Sequence, residues 1–361
     1  MAADLNIDRT TTPTVVTDFK VDPLQTEGVN EAGETWITYP EFTKWFGNYR
    51  KIAKIRMAIN AFATWVVGLG WTADNATTPI FEGISGWGKD TFLGILWNML
   101  IIKKVNGDSF AEIIRNPETG TLLNLKPLDP SIITTFLNPQ GIIIRYEQRS
   151  KAGSTDTKPR VIQIQNMLHL VNDRVADMAR GTSVIEAVEW NLQAQEEAKR
   201  AHRKMVKRNG VVRVIEVDTE DTTKINNFKI DWKKAIDDGD VLILPKAVAE
   251  AKDWHGTLDT AGVVQWLNYL DDEFFMIIGI PKVIMGGSGE IEGDSKVSYL
   301  SFEPNYKRAS GELIDDFFNQ VALKFTLNQP VSLKETVTDN ETKNTDQVGF
   351  QSNDTTAGVG A

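Results

Sequence analysis

Large apolar residues recur every three or four positions in five long stretches of the chain, the period of one face of an amphipathic helix. The first two stretches cover residues 39–69 and 90–104, and a glycine-containing turn sequence follows each of them. The same pattern predicts three further helices over residues 183–209, 258–279 and 299–325.

Between residues 109 and 165, short runs of β-prone residues are separated by turn sequences rich in Asn, Pro and Gly. These runs predict an antiparallel meander that packs on the preceding helices. A smaller β unit is predicted from strands at 211–217 and 241–244, which a polar stretch containing Trp232 joins. Helices and antiparallel strands in separate blocks indicate an α+β fold.

Three segments lack any hydrophobic period. Residues 1–38 and 329–361 are rich in Thr, Asp, Asn and Gly or Pro, so we expect a mobile arm and a disordered tail. The third segment, residues 285–295, carries four glycines and three acids between two predicted helices. A Ca²⁺ site is the alternative there, but the acids lack the order of an EF-hand loop, so a surface loop is favoured.

Composition excludes several classes of protein. With 361 residues and 41% hydrophobic residues, the chain is long enough for two or more packed units. It has no cysteine, which excludes disulfides, thiolate metal sites and a cysteine nucleophile. The net charge of -10 argues against a general polyanion binder. The longest apolar run, residues 92–102, is about half the roughly 20 residues needed to cross a bilayer, so no membrane partner is expected.

Candidate catalytic motifs are weak. Residues 83–90 space Gly, Gly and Lys as a phosphate-binding loop does, but Asp90 stands where Ser or Thr binds magnesium, and its carboxylate would repel phosphate. His169, His202 and His255 have no partner at metal-ligand spacing. The sequence therefore predicts no catalytic residue, metal or cofactor, with a nucleotide-dependent enzyme as the unfavoured alternative.

The two long helices at 183–209 and 258–279 carry separated charge. In the first, acids precede a cluster of bases, which suits either the helix dipole or a contact between neighbouring subunits. Ser183 and Glu186 have the spacing of a capping box at its start. The second helix has acids and no base. Its predicted buried stripe consists of Val263, Trp266, Leu267, Leu270, Phe274 and Ile277.

The succession of these parts resembles a tailed-phage portal protein over about residues 40–325. The motif at 106–110 (Asn-Gly-Asp-Ser-Phe) and the motif at 127–130 (Pro-Leu-Asp-Pro) precede Arg-Gly-Thr-Ser at 180–183, which opens a long helix. A small β unit, a second long helix ending in Gly-Ile-Pro at 279–281, a glycine loop and another helix follow. Each motif is short, and the resemblance rests on their order.

The resemblance implies a non-enzymatic ring, usually of twelve subunits, at one capsid vertex. Double-stranded DNA would enter and leave through its channel, with weak and non-specific contacts. The implied partners are other copies of the chain, the major capsid protein, the terminase large subunit, which carries the ATPase, and a head-completion or adaptor protein. The implied location is the virion, after assembly in the host cytoplasm. A minor capsid or adaptor protein is the alternative.

Carried over by position, residues 39–182 resemble the α/β wing, 183–209 and 258–279 the stem helices, 210–257 the clip, and 280–298 the tunnel loop. Residues 299–328 resemble a helix on the crown side, and a crown would be short or absent. The residues implied for the tunnel loop are Gly286, Gly287, Ser288, Gly289, Glu290, Glu292, Gly293, Asp294 and Lys296.

The resemblance also implies two contact surfaces. Subunit contacts and the channel wall would use the stem residues Glu196, Glu197, Lys199, Arg200, Arg203, Lys204, Lys207, Arg208, Asp271, Asp272 and Glu273. The clip would meet its partner proteins through Arg213, Glu216, Asp218, Glu220 and Lys224.

Overall fold

A computed structural model of the chain describes residues 28–30, 33–150, 158–176, 178–209, 213–217, 221–238, 249–253, 260–285 and 292–330. The chain divides into two compact units. Unit 1 is Met1–Ala187 together with Ile278–Ala361, and unit 2 is Val188–Ile277. Helices and antiparallel strands make up both units, which confirms the α+β class.

The α-helices of the described residues are α1 (Phe42–Lys51), α2 (Ala53–Val67), α3 (Thr78–Glu82), α4 (Phe92–Asn106), α5 (Val184–Asn209), α6 (Thr222–Asp238), α7 (Thr260–Ile278) and α8 (Glu292–Val321). The first predicted helix is broken, because Ile52 between α1 and α2 has an extended backbone with φ -95° and ψ 102°. Within α5, α7 and α4, the predicted bounds hold to within two residues at each end.

The strands of the described residues are β1 (Gly28–Val29), β2 (Thr35–Ile37), β3 (Gly70–Thr72), β4 (Asp108–Arg115), β5 (Leu122–Leu128), β6 (Ile133–Leu137), β7 (Ile143–Gln148), β8 (Arg160–Ile162), β9 (Met167–Val171), β10 (Arg213–Val217), β11 (Ala249–Asp253) and β12 (Thr326–Asn328). Instead of one meander they form a five-stranded sheet in the order β1-β2-β6-β7-β8 and a three-stranded sheet in the order β5-β4-β9. Two further pairs are β12 with β3 and β10 with β11.

An aromatic cluster fills the core of unit 1. Phe81 of α3 stacks on Phe92 of α4 with ring centroids 4.3 Å apart. Phe317 of α8 and Phe325, which precedes β12, meet both of these rings edge-on. All four side chains are buried. Stacked and edge-on ring pairs of this kind contribute beyond the area that they bury, so α8 is held firmly to α3 and α4.

Three predicted boundaries were wrong. The N-terminal arm was predicted to reach residue 38, but β1 and β2 pair with each other, and β2 pairs with β6. The stretch predicted as a polar connection in the small β unit forms α6, and β10 pairs with β11 at 249–253, whereas the predicted strand at 241–244 lies outside the described residues. The last helix begins at Glu292 and ends at Val321, earlier than predicted at both ends.

Each of these differences has a physical reason. A strand of two or three residues has no readable alternation, so only its pairing partner reveals it. The stretch that forms α6 carries Ile225, Phe228, Trp232 and Ile236 at helical spacing, a signal that its many polar residues obscured. At the start of α8, the acids at 292 and 294 are a composition that favours a helix N-terminus, a signal in the sequence that Gly293 obscured.

Candidate functional site

The motifs at 106–110 and 180–183 lie far apart in sequence but meet in unit 1, at the start of α5. The buried Asp108 carboxylate accepts a hydrogen bond from the backbone N–H of Gly181 at 3.0 Å through one oxygen. Its other oxygen is 2.9 Å from Nε2 of His169, and Nδ1 of His169 is 3.1 Å from the hydroxyl of Tyr146. A buried carboxylate is stable only when so satisfied, so this network ties β4, β9 and β7 to the segment that precedes α5. We call this contact region the α5 root.

Two glycines allow the backbones to approach closely at the α5 root. Gly107 has φ +92°, in the region that favours glycine, and a Cβ built on it would lie 2.9 Å from the backbone nitrogen of Thr182 and closer still to Gly181. A Cβ on Gly181 would lie 2.7 Å from the carbonyl oxygen of Asn172. Any side chain at these positions must therefore push main chain apart.

Asn172 completes the α5 root between the two glycines. Its backbone N–H donates to the carbonyl of Gly107 at 2.7 Å, and its carbonyl accepts from Thr182 N–H at 3.0 Å. Its side-chain amide donates to the carbonyl of Thr182 at 2.7 Å. Ser183 donates to the carbonyl of Val105 at 2.6 Å and accepts from the N–H of Ile185 at 3.1 Å. Ser183 thus caps α5 through Ile185, whereas the capping-box spacing predicted a bond to the N–H of Glu186.

An aromatic ring covers the α5 root. The Arg180 guanidinium lies 5.4 Å from the ring centroid of Tyr39, a cation–π distance. The Tyr39 hydroxyl lies 3.1 Å from the hydroxyl of Thr135 on β6. Burial, reinforced by the Asp108 charge, raises the pKa of Tyr39 well above its ordinary value, so the phenol stays neutral across the physiological range.

Within unit 2, two amides join α5 to α7. Asn191 donates to the carbonyl of Leu270 at 2.9 Å and to the carboxylate of Glu273 at 2.8 Å. Gln195, one turn later, donates to the same carbonyl at 3.2 Å and to the side chain of Asn191 at 2.8 Å. Both amides are buried beside Leu270 and Phe274. The contacts move towards lower residue numbers on α7 as the residue numbers on α5 increase, so the two helices run antiparallel here.

The charged residues predicted for the stem lie mainly on the surface of unit 2. Glu196 and Arg200 form an exposed ion pair at 2.9 Å, one helical turn apart. Glu197, Lys199, Arg203 and Lys204 are also exposed. Lys207 and Arg208 lie in α5, but their side chains are outside the described residues. The bases therefore lie in the second half of α5, where their positive charges interact favourably with the negative end of the helix dipole.

The predicted buried stripe of α7 was partly wrong. Leu270 and Phe274 are buried, and Val263 and Leu267 are half-buried. Trp266 and Ile277 are instead 46% and 39% exposed. Tyr269 and Met276 are more exposed, at 56% and 73%.

Comparison with known proteins decides the family. The profile of the family described as "Phage portal protein" matches residues 92–329, which is more than half of the chain. The chain belongs to the phage portal protein family. No curated protein sequence matches it. Because the family consists of structural proteins, membership also supports the absence of a catalytic assignment.

Several solved structures share the fold at low sequence identity. A chain of the neck of a native gene transfer agent particle, computed with C12 symmetry, superposes with a TM-score of 0.63 at 11% identity, covering 88% of this chain and 92% of that one. An HK97-family phage portal protein from Corynebacterium diphtheriae superposes with a TM-score of 0.53 at 8% identity, covering 81% and 96%. A chain of the gene transfer agent virion gives 0.60 at 12% identity, covering 87% and 91%.

Five of the nine residues that the resemblance implies for the portal tunnel loop lie outside the described residues. These five are Gly286, Gly287, Ser288, Gly289 and Glu290. The other four implied loop residues lie in the first turns of α8, which begins inside the segment predicted as the loop: Glu292, Gly293, Asp294 and Lys296.

The residues implied for the portal clip are divided in the same way. Arg213 and Glu216 lie on β10, opposite Asp253 and Glu250 of β11. Lys224 lies in the first turn of α6. Asp218 and Glu220 fall outside the described residues. The structure thus assigns secondary structure to three of the five implied clip residues.

The glycine-rich segment that matches a phosphate-binding loop in spacing is closed by the protein's own groups. The side-chain oxygen of Asn124 accepts from the backbone N–H groups of Ser85 and Gly86 at 3.2 and 2.8 Å. The Asp90 carboxylate accepts from the N–H of Trp87 at 3.0 Å. Since these donors are occupied, they are not free to cradle a phosphate. The segment is a capped turn before α4, which argues against the nucleotide-binding alternative.

The histidines do not form a metal site within the described residues. His169 belongs to the α5 root. His202 lies in α5, where Nδ1 has no hydrogen-bond partner among the described residues, and His255 lies outside them. Among the described residues there is no cluster of three His, Asp or Glu side chains suited to a metal ion. No helix of the described part is long and apolar enough to span a membrane.

The sequence did not reveal the residues that bind the elements together. Asp108, Asn172, Gly181 and the pair Asn191 and Gln195 act through contacts with distant parts of the chain. A signal existed for Asn191 and Gln195, since two amides one turn apart interrupt the apolar face of α5. Buried amides at such spacing commonly satisfy a neighbouring backbone group.

Proposed function

We propose that twelve copies of this portal subunit form a closed ring at one vertex of a phage-like capsid. Double-stranded DNA would pass through the central channel during packaging and ejection, while a separate motor protein supplies the energy. The observation that carries this proposal is the superposition along 88% of the chain on a neck component computed with C12 symmetry. Membership in the portal family supports the same role.

The distribution of charge in unit 2 supports assembly from identical copies. A cyclic ring uses two different surfaces of each subunit, because every copy meets one neighbour on each side. The basic second half of α5 and the acidic positions Asp271 and Asp272 of α7 give unit 2 two regions of opposite sign, whereas Glu273 bonds Asn191 of α5 in the same chain. We propose that both helices contribute to subunit contacts and to the channel wall.

The acidic segment around residues 290–294 suits a channel that must not hold DNA. Duplex DNA carries one charge per about 1.7 Å, and a wall that neutralised its phosphates would bind it tightly by releasing counterions. Glu290, Glu292 and Asp294 add three negative charges per subunit, and Lys296 adds one positive charge. We propose that this segment borders the channel and that repulsion across a layer of solvent favours sliding.

The unit formed by β10, α6 and β11 is the proposed docking site for other proteins of the particle. We propose that Arg213, Glu216, Asp218, Glu220 and Lys224 face the terminase large subunit during packaging and a head-completion or adaptor protein afterwards. Unit 1 would face the major capsid protein. The assembled ring would reside in the virion after assembly in the host cytoplasm.

Measurement of particle mass tests the ring. The purified chain should form particles of twelve subunit masses in mass photometry, and negative-stain class averages should show a ring with a central hole. Only monomers across protein concentrations and salt would contradict the proposal. Rings of another subunit number would refute the dodecamer while leaving the portal role.

Neutralisation of the acidic segment tests the channel. A variant with Glu290→Gln, Glu292→Gln and Asp294→Asn should still form rings, but its rings should retain duplex DNA to a higher salt concentration than the wild type. Lys296→Gln is the matched control, because it changes the charge in the opposite direction and should weaken retention. Equal retention by all three proteins at every salt concentration would exclude a channel role for this segment.

A further inference from the structure

A cavity of about 1090 Å³ opens in unit 1 beside the last turns of α8. It lies between α4, β7, β9 and α8, and its lining includes Lys103, Tyr146, His169, Asp316 and Gln320. Small-molecule pockets in proteins commonly have volumes of about 300–1,000 Å³, so this cavity has room for a short stretch of polypeptide. We call it the α8 cavity.

Lys103 of α4 brings an unpaired charge to the α8 cavity. The residue is only 7% exposed, and among the described residues its ammonium group has neither a hydrogen bond nor an ion pair. Two other charges of the lining, Arg308 and Glu312, already pair with each other at 3.3 Å. Burying an ammonium group is costly unless a partner is present. The α8 cavity therefore favours an occupant that carries a carboxylate.

The rim of the α8 cavity is apolar. Ile142, Ile164 and Val175 line it and are 63%, 48% and 67% exposed. Large apolar side chains around one opening are typical of a contact surface. The outward main-chain groups of His169 are occupied, because its N–H donates to the Gln320 amide at 2.7 Å and its carbonyl accepts from that amide at 3.0 Å. An occupant is therefore held through side chains, apolar as well as acidic.

One segment of this chain has the required chemistry. Residues 14–22 read Thr-Val-Val-Thr-Asp-Phe-Lys-Val-Asp. Side chains two positions apart share a face of an extended segment. Asp18 and Lys20 then share one face, and Phe19 and Val21 share the other. The segment thus offers an acid and a base on one side and apolar side chains on the opposite side.

The five-stranded sheet places the start of the described chain within reach of the α8 cavity. Val29 of β1 pairs with Thr35, Thr35 pairs with Leu137, and Leu137 pairs with Ile143, which lines the cavity. Three strand spacings of about 4.8 Å separate β1 from Ile143 by about 14 Å. Between positions 22 and 28, an extended chain spans up to about 20 Å. The covalent connection therefore permits docking within one chain.

We propose that residues 14–22 occupy the α8 cavity of the same chain, with the Asp18 carboxylate paired to the Lys103 ammonium. Lys20 then lies beside Asp315, an exposed acid of the cavity lining, and the apolar face of the segment packs on the rim. The contact gives the buried ammonium group its missing partner and fastens the N-terminal segment to unit 1. It goes beyond the proposed portal function and does not depend on ring formation.

Cysteine cross-linking tests the docking in the full-length chain, which has no cysteine of its own. Phe19→Cys together with Ile164→Cys should form a disulfide within one chain under mild oxidation, because docking brings the two positions together. Phe19→Cys with Leu123→Cys is the matched control, since Leu123 is 50% exposed and lies outside the cavity lining. Docking raises the effective concentration of one thiol near the other, so the first pair should link at least about tenfold faster. Mass spectrometry of the digested protein identifies the link.

Charge variants test the pairing of Asp18 with Lys103. Asp18→Asn and Lys103→Met, each added to the first cysteine pair, should slow its linking about tenfold, towards the rate of the control. Circular dichroism checks that the Lys103→Met protein is folded, and Asp18→Asn leaves α4 unaltered and tests the same pair independently. Exchanging the charges, with Asp18→Lys and Lys103→Glu in one chain, should restore faster linking, which a purely structural role of Lys103 would not do.

Each outcome bears on the docking. Linking of positions 19 and 164 at the rate of the control would overturn the proposal. Linking that is unaffected by Asp18→Asn and Lys103→Met would overturn it as well, by showing that the two charges do not meet. A mixture of Phe19→Cys and Ile164→Cys single variants that yields covalent dimers as fast as the double variant links would assign the segment to another copy and overturn docking within one chain. Fast linking within one chain that requires both charges would support the proposal, whether or not the chain forms rings.

Discussion

Replacing Gly107 by alanine should destabilise unit 1 much more than an ordinary substitution at a glycine turn. Gly107 ends α4 with φ +92° and ψ -33°, and its carbonyl accepts the backbone N–H of Asn172 at 2.7 Å. A new Cβ would lie 2.5 Å from the carbonyl carbon of Gly181 and 2.9 Å from the nitrogen of Thr182. Since these atoms are main chain, no side-chain rotation relieves the overlap.

The magnitude has three parts. An L-residue held at positive φ costs about 1–2 kcal/mol. Forcing additional atoms into a packed interior costs a further 1–3 kcal/mol, roughly, through backbone shifts. If the backbones separate, the bond between Asp108 and Gly181 lengthens, and each weakened hydrogen bond costs about 1 kcal/mol. The expected loss is therefore about 3–6 kcal/mol, a large share of the roughly 5–15 kcal/mol that keeps a typical protein folded.

Gly141→Ala is the matched control. Gly141 has φ +77°, close to that of Gly107, but a Cβ there would meet no atom within 4 Å. Its loss should be limited to the backbone strain of about 1–2 kcal/mol. Urea unfolding, followed by far-UV circular dichroism and tryptophan fluorescence, measures both variants against the wild type. The difference between them isolates the close approach at the α5 root.

A loss in Gly107→Ala that is no larger than the loss in Gly141→Ala would refute this reasoning. It would mean that the two main-chain segments can separate without cost, and that the α5 root is not tightly packed. A second substitution at the same contact, Gly181→Ala, provides an independent check, because its Cβ would meet main-chain atoms of both Gly107 and Asn172. Its free energy of unfolding should be close to that of Gly107→Ala and well below that of Gly141→Ala.

Three further predictions concern single groups. Burial raises the pKa of Asp316, so its protonated carboxyl group favours the folded state below about pH 4, and this contribution is lost as the pH rises through the raised pKa. Asp316→Asn should therefore raise the melting temperature at pH 7 and not at pH 3.5, whereas Asp315→Asn, at an exposed position, should change it little at either pH. Asn191→Ala should cost about 1–3 kcal/mol, because it leaves a buried carbonyl of α7 with fewer donors, and the exposed Gln193→Ala should be nearly neutral in the same urea titration. Thr91→Ala should cost about 1 kcal/mol, because the Thr91 side chain accepts from the N–H of Gly94 at 3.1 Å and caps α4, and a shift of the urea midpoint smaller than that of a surface substitution would contradict it.

The long helices could be predicted from the sequence because their signal is local. In α4, α5 and α7 the alternation of apolar and polar residues follows the helical period over several consecutive turns, so the pattern is visible without any contact to another element. The order of these helices around the β region was enough to suggest the portal family, which the profile match over residues 92–329 confirms. The strands β4 to β7 were predicted for the same local reason, with turn sequences marking their ends.

Elements that depend on a partner could not be predicted in this way. The short strand β2 exists because β6 lies beside it, and β9 exists as the second partner of β4. The three residues of β2 are too few to show alternation, and β9 shows none because it is buried along nearly its whole length. The stripe of α7 was predicted as a single surface, yet its partner α5 covers only the part around Leu270 and leaves Trp266 and Ile277 exposed.

The sequence by itself determined which stretches become helices, where the charges of α5 and α7 lie, and which family the chain resembles. Tertiary structure alone decided that Gly107 must be glycine, that Asp108 bonds Gly181 across 73 residues of chain, and that the motifs at 106–110 and 180–183 are two halves of one contact. The physical reason is the distance along the chain over which each kind of interaction acts. Periodicity and capping act within one or two turns, whereas a close approach of two backbones depends on every element that brings them together.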